Sequence, residues 1–454
     1  MDNNNRINRR DFLKTSLAMA GAATFPLTTF SSQSFAAGED YKAIVCVLLE
    51  GGADAFNMVV PKRNNALYGK YAAVRGDMAL TQSELLTLKN TAYGFHPQMK
   101  QLQKIFNQNK LAVVANVGAL IKPIDPALVA SADQIYGQLP NLPSQLFAHN
   151  TQRELWMTGN AAVKTPTGWA ARAADALDVG GLVNISVDGQ NLMQRGGKYP
   201  ALQVNGAIYA FDDFYRVRPP DTSVGEAYRA ILAANANHAH KLVNNYANTR
   251  INQLAQAEQL SGVLPSPFQV FPRGVHESGK SLGEQLELVT RLIAARSHFA
   301  KRQIFFVNYH DWDTHQTPLA SDNHKVAYLD ECLGLFYQQF SDNPALAAVA
   351  DKVTTFTISD FGRTTSKNST GGTDHGWGGH AFVLGKAVTG GIYGKIPEIS
   401  IDSPHAIGER VVPTTSIEQY LAPLVTWLGV SDSGLSSVFP NLSSFDRYSM
   451  KFMG

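Results

Sequence analysis

The sequence predicts an α/β protein: a mostly parallel sheet with helices on both faces. Three observations carry this. Short, continuous apolar runs recur along the chain, as strands buried on both faces require. Stretches with helical spacing lie between them. Carboxylates and histidines follow the runs, at the carboxyl ends of strands where open α/β sheets bind ligands.

The elements follow in order. The first run, Ala43 to Leu49, is closed by Gly51-Gly52. Others are Leu111 to Asn116, Gln303 to Tyr309, Val353 to Ser359 and Ala381 to Leu384. Helical patterns cover Pro97 to Phe106, Gly283 to Phe299, Lys325 to Phe340 and Ser416 to Leu428. Residues 211–264 differ, being rich in Ala, Asn and Gln with helical spacing and ending in Leu264-Pro265-Ser266-Pro267. They read as a helical insertion within a single α/β domain over 37–454.

A targeting segment precedes the first run. Asn8-Arg9-Arg10-Asp11-Phe12-Leu13-Lys14 is a twin-arginine pattern, followed by an apolar stretch from Leu17 to Phe25. That stretch is too short for a bilayer core of about 30 Å. Ser34-Phe35-Ala36 before Ala37 suits signal peptidase. Residues 1–36 therefore read as a signal for the twin-arginine translocase, and the protein as periplasmic or secreted. No later apolar run is long enough for a membrane span.

The signal contains Arg6, Arg9, Arg10, Lys14, Asp2 and Asp11; without it, 35 basic and 35 acidic residues remain, a formal charge of zero. Nothing in that balance favours a nucleic-acid or anionic-membrane partner. Two cysteines, Cys46 and Cys332, lie in apolar patterns. They read as buried thiols rather than a disulfide framework.

The chemistry gathers at strand ends. Glu50-Gly51-Gly52-Ala53-Asp54 follows the first strand. His310-Asp311-Trp312-Asp313-Thr314-His315 follows the third run, and Asp360-Phe361-Gly362-Arg363-Thr364 the fourth. Gly372-Thr373-Asp374-His375-Gly376-Trp377-Gly378-Gly379-His380 leads into the last. Carboxylate oxygen with imidazole nitrogen is a donor set for a divalent metal ion. Asp311, Asp313 and His315 form the most specific cluster, with Asp374, His375 and His380 similar. Asp54 fits a Gly-rich turn equally well, and Asp360 a helix cap. Arg363 fits either an anionic substrate group or a structural carboxylate. His149, in Phe147-Ala148-His149-Asn150, is a further candidate. There is no Gly-x-Ser-x-Gly elbow, phosphate-binding loop or dinucleotide fingerprint.

At these motifs, with Phe95-His96-Pro97 and Leu146 to Asn150, the chain resembles the exported bacterial family known as domain of unknown function 1501, over nearly all of its length after the signal. That family is similar in fold to the alkaline phosphatase and sulfatase superfamily. The resemblance implies strand-end Asp and His metal ligands, a Ser- or Thr-type nucleophile and hydrolysis of phosphate or sulfate esters. Asp54 matches the first-strand metal aspartate. Asp313 and His315 match a middle pair, while Asp311 stands at the four-residue spacing to His315 that phosphatases use. Asp360 matches the aspartate of an Asp-His pair, but Phe361 replaces its histidine. His375 or His380 would then supply the late histidine. Next to His149, where the resemblance implies a hydroxyl residue, stands Ala148; Ser144 and Thr151 are the nearest substitutes. These departures leave one ion, or none, as alternatives to two.

The expected function is a metal-dependent hydrolase of a small-molecule or glycan phosphate or sulfate ester, with His149 and Arg363 as catalytic candidates. The alternative is a catalytically degenerate envelope or secreted protein that binds through the same cleft. A third is a structural envelope protein whose Asp and His residues only cap turns.

Overall fold

The computed structural model describes residues 40–131, 139–199, 201–203, 223–265, 271–274, 281–316 and 319–454. The twin-arginine segment and residues 211–222 of the expected insertion lie outside the described residues.

Five buried strands make the centre of a nine-stranded sheet: β1 (Lys42–Leu49), β2 (Leu111–Gly118), β5 (Arg302–Tyr309), β6 (Val353–Ser359) and β7 (Gly379–Gly385). Short strands complete it: β3 (Asn184–Ser186), β4 (Leu202–Gln203), β8 (Gly391–Tyr393) and β9 (Thr415–Ser416). The order is β8-β2-β7-β6-β1-β5-β3-β4, with β9 also beside β2. All neighbours are parallel except at β7, which runs antiparallel to both β2 and β6. That reversal brings the Gly372–His380 segment, which enters β7, to the edge where β1, β5 and β6 end.

The helices used below are α1 (Asn65–Arg75), α2 (Lys100–Asn107), α3 (His149–Thr158), α4 (Trp169–Leu177), α5 (Ser223–Asn235), α6 (Lys241–Val263), α7 (Leu282–Ala294), α8 (Leu319–Asp342) and α9 (Ile417–Leu428). Alternate β1 residues Ile44, Cys46 and Leu48 join one core with Trp169 of α4 and Tyr420 and Leu424 of α9. Ala43, Val45 and Val47 are equally buried, so both sheet faces are covered. Helix α7 packs on β5 and α8, and α2 packs on β2 and α8. Burial on both faces is why β1 reads as an unbroken apolar run. Two of these helices start with a reciprocal capping box, Ser281 with Glu284 in α7 and Ser416 with Gln419 in α9. Each satisfies two otherwise orphaned backbone donors.

Three helix ends differ from the periodicity. Helix α2 begins at Lys100 rather than Pro97. Helix α7 stops at Ala294, and Arg296–His298 continue as a 3₁₀ turn. Helix α8 starts at Leu319 rather than Lys325, because Ser321-Asp322-Asn323-His324 carry no apolar spacing to betray a helix. Cys46 and Cys332 are buried and unpaired.

The chain divides into two compact units. One contains residues 36–206 and 265–454 and carries the sheet. The other, described from residue 223, is the helix pair α5 and α6, joined through Leu232, Ala247 and Leu254. No described helix is long and apolar enough to cross a membrane.

Candidate metal centre

Three loops meet beyond the carboxyl ends of β1, β5 and β6. Gly51 permits the meeting: its φ is 116°, and a Cβ there would stand 2.4 Å from the backbone nitrogen of Asp313. The β1 loop therefore touches the Trp312-Asp313 backbone, and Trp312 donates its N–H to the Glu50 carbonyl at 2.9 Å.

Asp313 stands at the middle of three imidazoles. Its Oδ2 is 3.4 Å from His149 Nε2. Its Oδ1 is 3.1 Å from His315 Nε2 and 3.4 Å from His375 Nε2. The ligand atoms of His149, Asp313 and His375 all lie within 4.8 Å of one another. His315 Nε2 faces His375 Nε2 at 2.8 Å.

The opposite nitrogen of each ring is held. His149 Nδ1 is 2.8 Å from Asp360 Oδ2, and His315 Nδ1 is 2.9 Å from Asp374 Oδ1. His375 Nδ1 is 2.6 Å from the Phe147 carbonyl oxygen. A carbonyl only accepts, so His375 carries a proton on Nδ1. Asp374 is held below the usual carboxylate range by the Asn368 amide first, against its partial burial, with help from His315.

The three Nε2 atoms are turned toward one carboxylate. Two of them, on His315 and His375, face each other at hydrogen-bond distance. His149 Nε2 is shielded from solvent and has no hydrogen-bond partner. Burial, reinforced by the nearby charges of His149 and Arg363, lowers the His375 pKa, which keeps that ring neutral despite its bond to Phe147. Burial raises Asp313, but the Arg363 hydrogen bond and charge outweigh it, so Asp313 lies below its ordinary value and stays ionised. Ligand atoms around a tetrahedral ion with bonds of about 2.0–2.1 Å would be about 3.3 Å apart; the Nε2 atoms stand 3.1–3.4 Å from the Asp313 oxygens, with His315 and His375 closer to each other at 2.8 Å. Nδ1 atoms tied to carboxylates and a carbonyl match the outer shell that orients imidazole ligands. The residues present therefore fit a divalent ion held by imidazole nitrogen and carboxylate oxygen.

The other expected residues are placed elsewhere. Both Asp54 oxygens take the fully buried Arg75 guanidinium, at 2.7 and 2.9 Å, from the end of α1. Asp360 is fully buried and saturated: it receives Arg153 Nε and Nη2 at 3.1 Å, the Gly51 N–H at 3.2 Å and His149. It orients His149 and does not face the centre. Asp311 is exposed, with a left-handed φ of 70°. His380 is buried beside Phe56, accepts the Asn116 N–H at 3.2 Å, and is lowered by burial to about 4. Asp54, Asp311 and His380 are thus not brought into the imidazole cluster.

Arg363 resolves toward the structural reading. It is fully buried and donates to the carbonyls of Gly51, Gly52, Trp312 and Thr373 and to Asp313 Oδ1 at 2.6 Å. No part of it is left for a substrate anion; it fixes Asp313. Phe361, in place of a histidine, packs its ring 4.8 Å from that of His149 and 4.6 Å from that of His375. It is an apolar wall that sets the two rings.

A neighbouring network escaped the sequence reading. Glu50 lies 2.5 Å from His310 Nδ1 and accepts the Asn308 amide at 2.6 Å. Asp188 is 3.4 Å from His310 Nε2, and Arg153 pairs with both Glu50 and Asp360. Its Asp188 and Glu50 hydrogen bonds raise His310 to about 10. Glu50 is lowered to about 2, because His310, Asn308 and Arg153 together outweigh its burial. The legible signals were Arg153 four residues after His149, on the same face of α3, and Glu50 and His310 at strand ends.

Residues 41–409 match the family described as Protein of unknown function (DUF1501). The chain belongs to that family. Residues 6–26 match the twin-arginine translocation pathway signal sequence, so this DUF1501 protein is exported across the membrane, to the periplasm or beyond. None of the curated proteins matches it in sequence. Solved structures similar to it include an alkaline phosphatase superfamily protein from Vibrio parahaemolyticus, at 11% identity and a TM-score of 0.40, covering 94% of this chain and 76% of that one. Ps i-CgsB in complex with k-i-k-neocarrahexaose follows at 10% identity and 0.36, covering 90% and 78%. The PsFucS1 sulfatase from Pseudoalteromonas sp. stands at 9% identity and 0.33, covering 87% and 68%.

Proposed function

We propose that the protein is an exported, divalent-metal-dependent hydrolase of phosphate or sulfate esters. The observation that carries this is the set of three imidazole Nε2 atoms turned on the ionised Asp313, each ring pinned from behind. A divalent ion held there would polarise an ester oxygen and lower the pKa of a water.

The chain's own residues have distinct parts. His149, Asp313 and His375 hold the ion, and His315 is the adjoining donor. Asp360, Asp374 and the Phe147 carbonyl fix the rings. Helix α3 begins at His149 with Ala148 as its N-cap and no side-chain cap. Its first backbone N–H groups are donors suited to the oxygens of an anionic ester. Arg363 is a positioning residue that acts through Asp313. Export in the folded state fits this scheme, since an ion taken up in the cytoplasm is selected by supply, and affinity alone favours the wrong metals.

The test is elemental analysis of purified protein together with turnover on a panel of phosphate and sulfate esters. About one transition-metal ion per chain with ester hydrolysis supports the proposal. Metal-free protein that hydrolyses none of the panel overturns it.

One observation favours a second reading, a protein that binds such esters without cleaving them. The α3 N-cap is Ala148, and the nearby Thr151 hydroxyl is spent on Gln145 at 3.0 Å. Metal-loaded protein that binds a panel ester without turnover would select this reading.

A further inference from the structure

An open cleft near the sheet lies away from the imidazole centre. It measures about 780 Å³ and is formed by three segments: Lys89 to Tyr93, the end of α2 with Asn107 and Asn109, and β8 with Lys395. Gly390 bonds the Asn109 carbonyl at 3.0 Å, and Gly391 pairs with Ala112 near the start of β2. The cleft thus borders the amino end of β2, whereas the imidazole centre stands beyond the carboxyl ends of strands parallel to it. The length of β2, eight residues at about 3.3 Å each, separates the two ends by about 25 Å.

The lining is chemically one-sided. It contains two lysines, three asparagines, a threonine and a tyrosine, and no carboxylate. Asn107 spends its oxygen on the Lys89 N–H at 2.9 Å, which leaves its amide NH₂ free. Among the described residues, no hydrogen bond or ion pair engages the Lys89 or Lys395 ammonium, the Asn90 or Asn109 amide, or the Tyr93 hydroxyl. Planar amides donate and accept together, as paired sugar hydroxyls demand. A half-buried tyrosine offers an apolar ring with a polar tip. Two unpaired ammonium groups with no acid beside them favour a ligand that carries negative charge. The volume lies within the usual range for ligand clefts, about 300–1,000 Å³.

We propose that this cleft is a second binding site, for an acidic oligosaccharide. It serves to hold an anionic glycan chain at the end of the sheet remote from the imidazole centre. The proposal does not depend on the metal reading.

The test is titration calorimetry of the purified full chain with three hexasaccharides: oligogalacturonate (carboxylated), a chondroitin sulfate fragment (sulfated) and cellohexaose (neutral). The double variant Lys89→Glu, Lys395→Glu and the variant His375→Ala are measured beside the parent. Both lysines are exposed, and an unchanged thermal midpoint verifies folding. Binding of at least one acidic hexamer is expected, with cellohexaose weaker. The lysine variant should lose about tenfold or more in affinity, and His375→Ala should bind as the parent does. Preference for one acidic hexamer over the other identifies the charged group recognised. Absence of binding to both acidic hexamers, equal binding of cellohexaose, or undiminished binding by the lysine variant overturns the proposal.

Discussion

Two groups of charged and imidazole side chains stand side by side at the carboxyl edge of the sheet, and they are built in opposite ways. Around Asp313, three ring nitrogens and a carboxylate converge, and the buried Arg363 guanidinium holds that carboxylate from behind. Around Glu50, every charge has an internal partner. Protonated His310 bridges Glu50 and Asp188, and Arg153 bridges Glu50 and Asp360. The same residue types thus make one cluster in which imidazoles converge on a single carboxylate and another in which carboxylates and cations pair among themselves. Carboxylates and histidines at strand ends do not by themselves declare a metal site. What distinguishes one is the side of each ring that is left empty. Asp360 is the hinge between the groups, since it takes Arg153 on one side and orients His149 on the other.

The comparison can be broken in several places. The largest effect is expected from His375→Ala, which removes a ligand atom: bound metal should fall to a small fraction of one per chain and ester turnover by roughly 100-fold or more, as outer-shell losses alone cost about 10–100-fold. Metal titration and turnover on the same preparation check this. Asp374→Asn leaves the ligands and loosens His315 and the Asn368 contact; because its side chain is 45% exposed, about tenfold weaker metal affinity is expected. In the internally paired network the effect is on stability. Arg153→Ala strips the cation from Asp360, whose side chain is fully buried, and should cost roughly 3 kcal/mol in denaturant unfolding.

The smallest effect is in pH dependence. The folded pKa of His310 is raised from 6.5 to about 10. Its contribution to stability is therefore complete below about 6.5 and fades as pH rises toward 10. Glu50 is lowered from 4.5 to about 2, so its contribution is complete above 4.5 and is lost as pH falls toward 2. The variant His310→Gln should flatten the alkaline limb of the stability profile. An alkaline limb of unchanged slope would show that the bridge contributes nothing.

The sequence made the frame legible because strands buried on both faces leave unbroken apolar runs. β1, β5 and β6 start and end within a residue of the runs that announce them. The direction of β7 was not legible, since an apolar run is the same read either way. In the site, residue type located the edge but not the role. Asp360 and Asp374 look like ligands in sequence and serve as ring supports, a distinction that only the choice of Nδ1 or Nε2 reveals. Asp54 is claimed by Arg75, 21 positions away, which no local motif announces. Phe361 departs from the expected histidine, and its ring contacts with His149 and His375 supply the reason it is tolerated there.

The contrast between the two groups is tested most directly by elemental analysis of three preparations: the parent protein, His375→Ala and Glu50→Gln. The Glu50 side chain belongs to the internally paired network, so the expected result is about one divalent ion per chain in the parent and in Glu50→Gln, and almost none in His375→Ala. Metal retained in His375→Ala, or lost only in Glu50→Gln, would contradict the assignment of the ion to the imidazole centre.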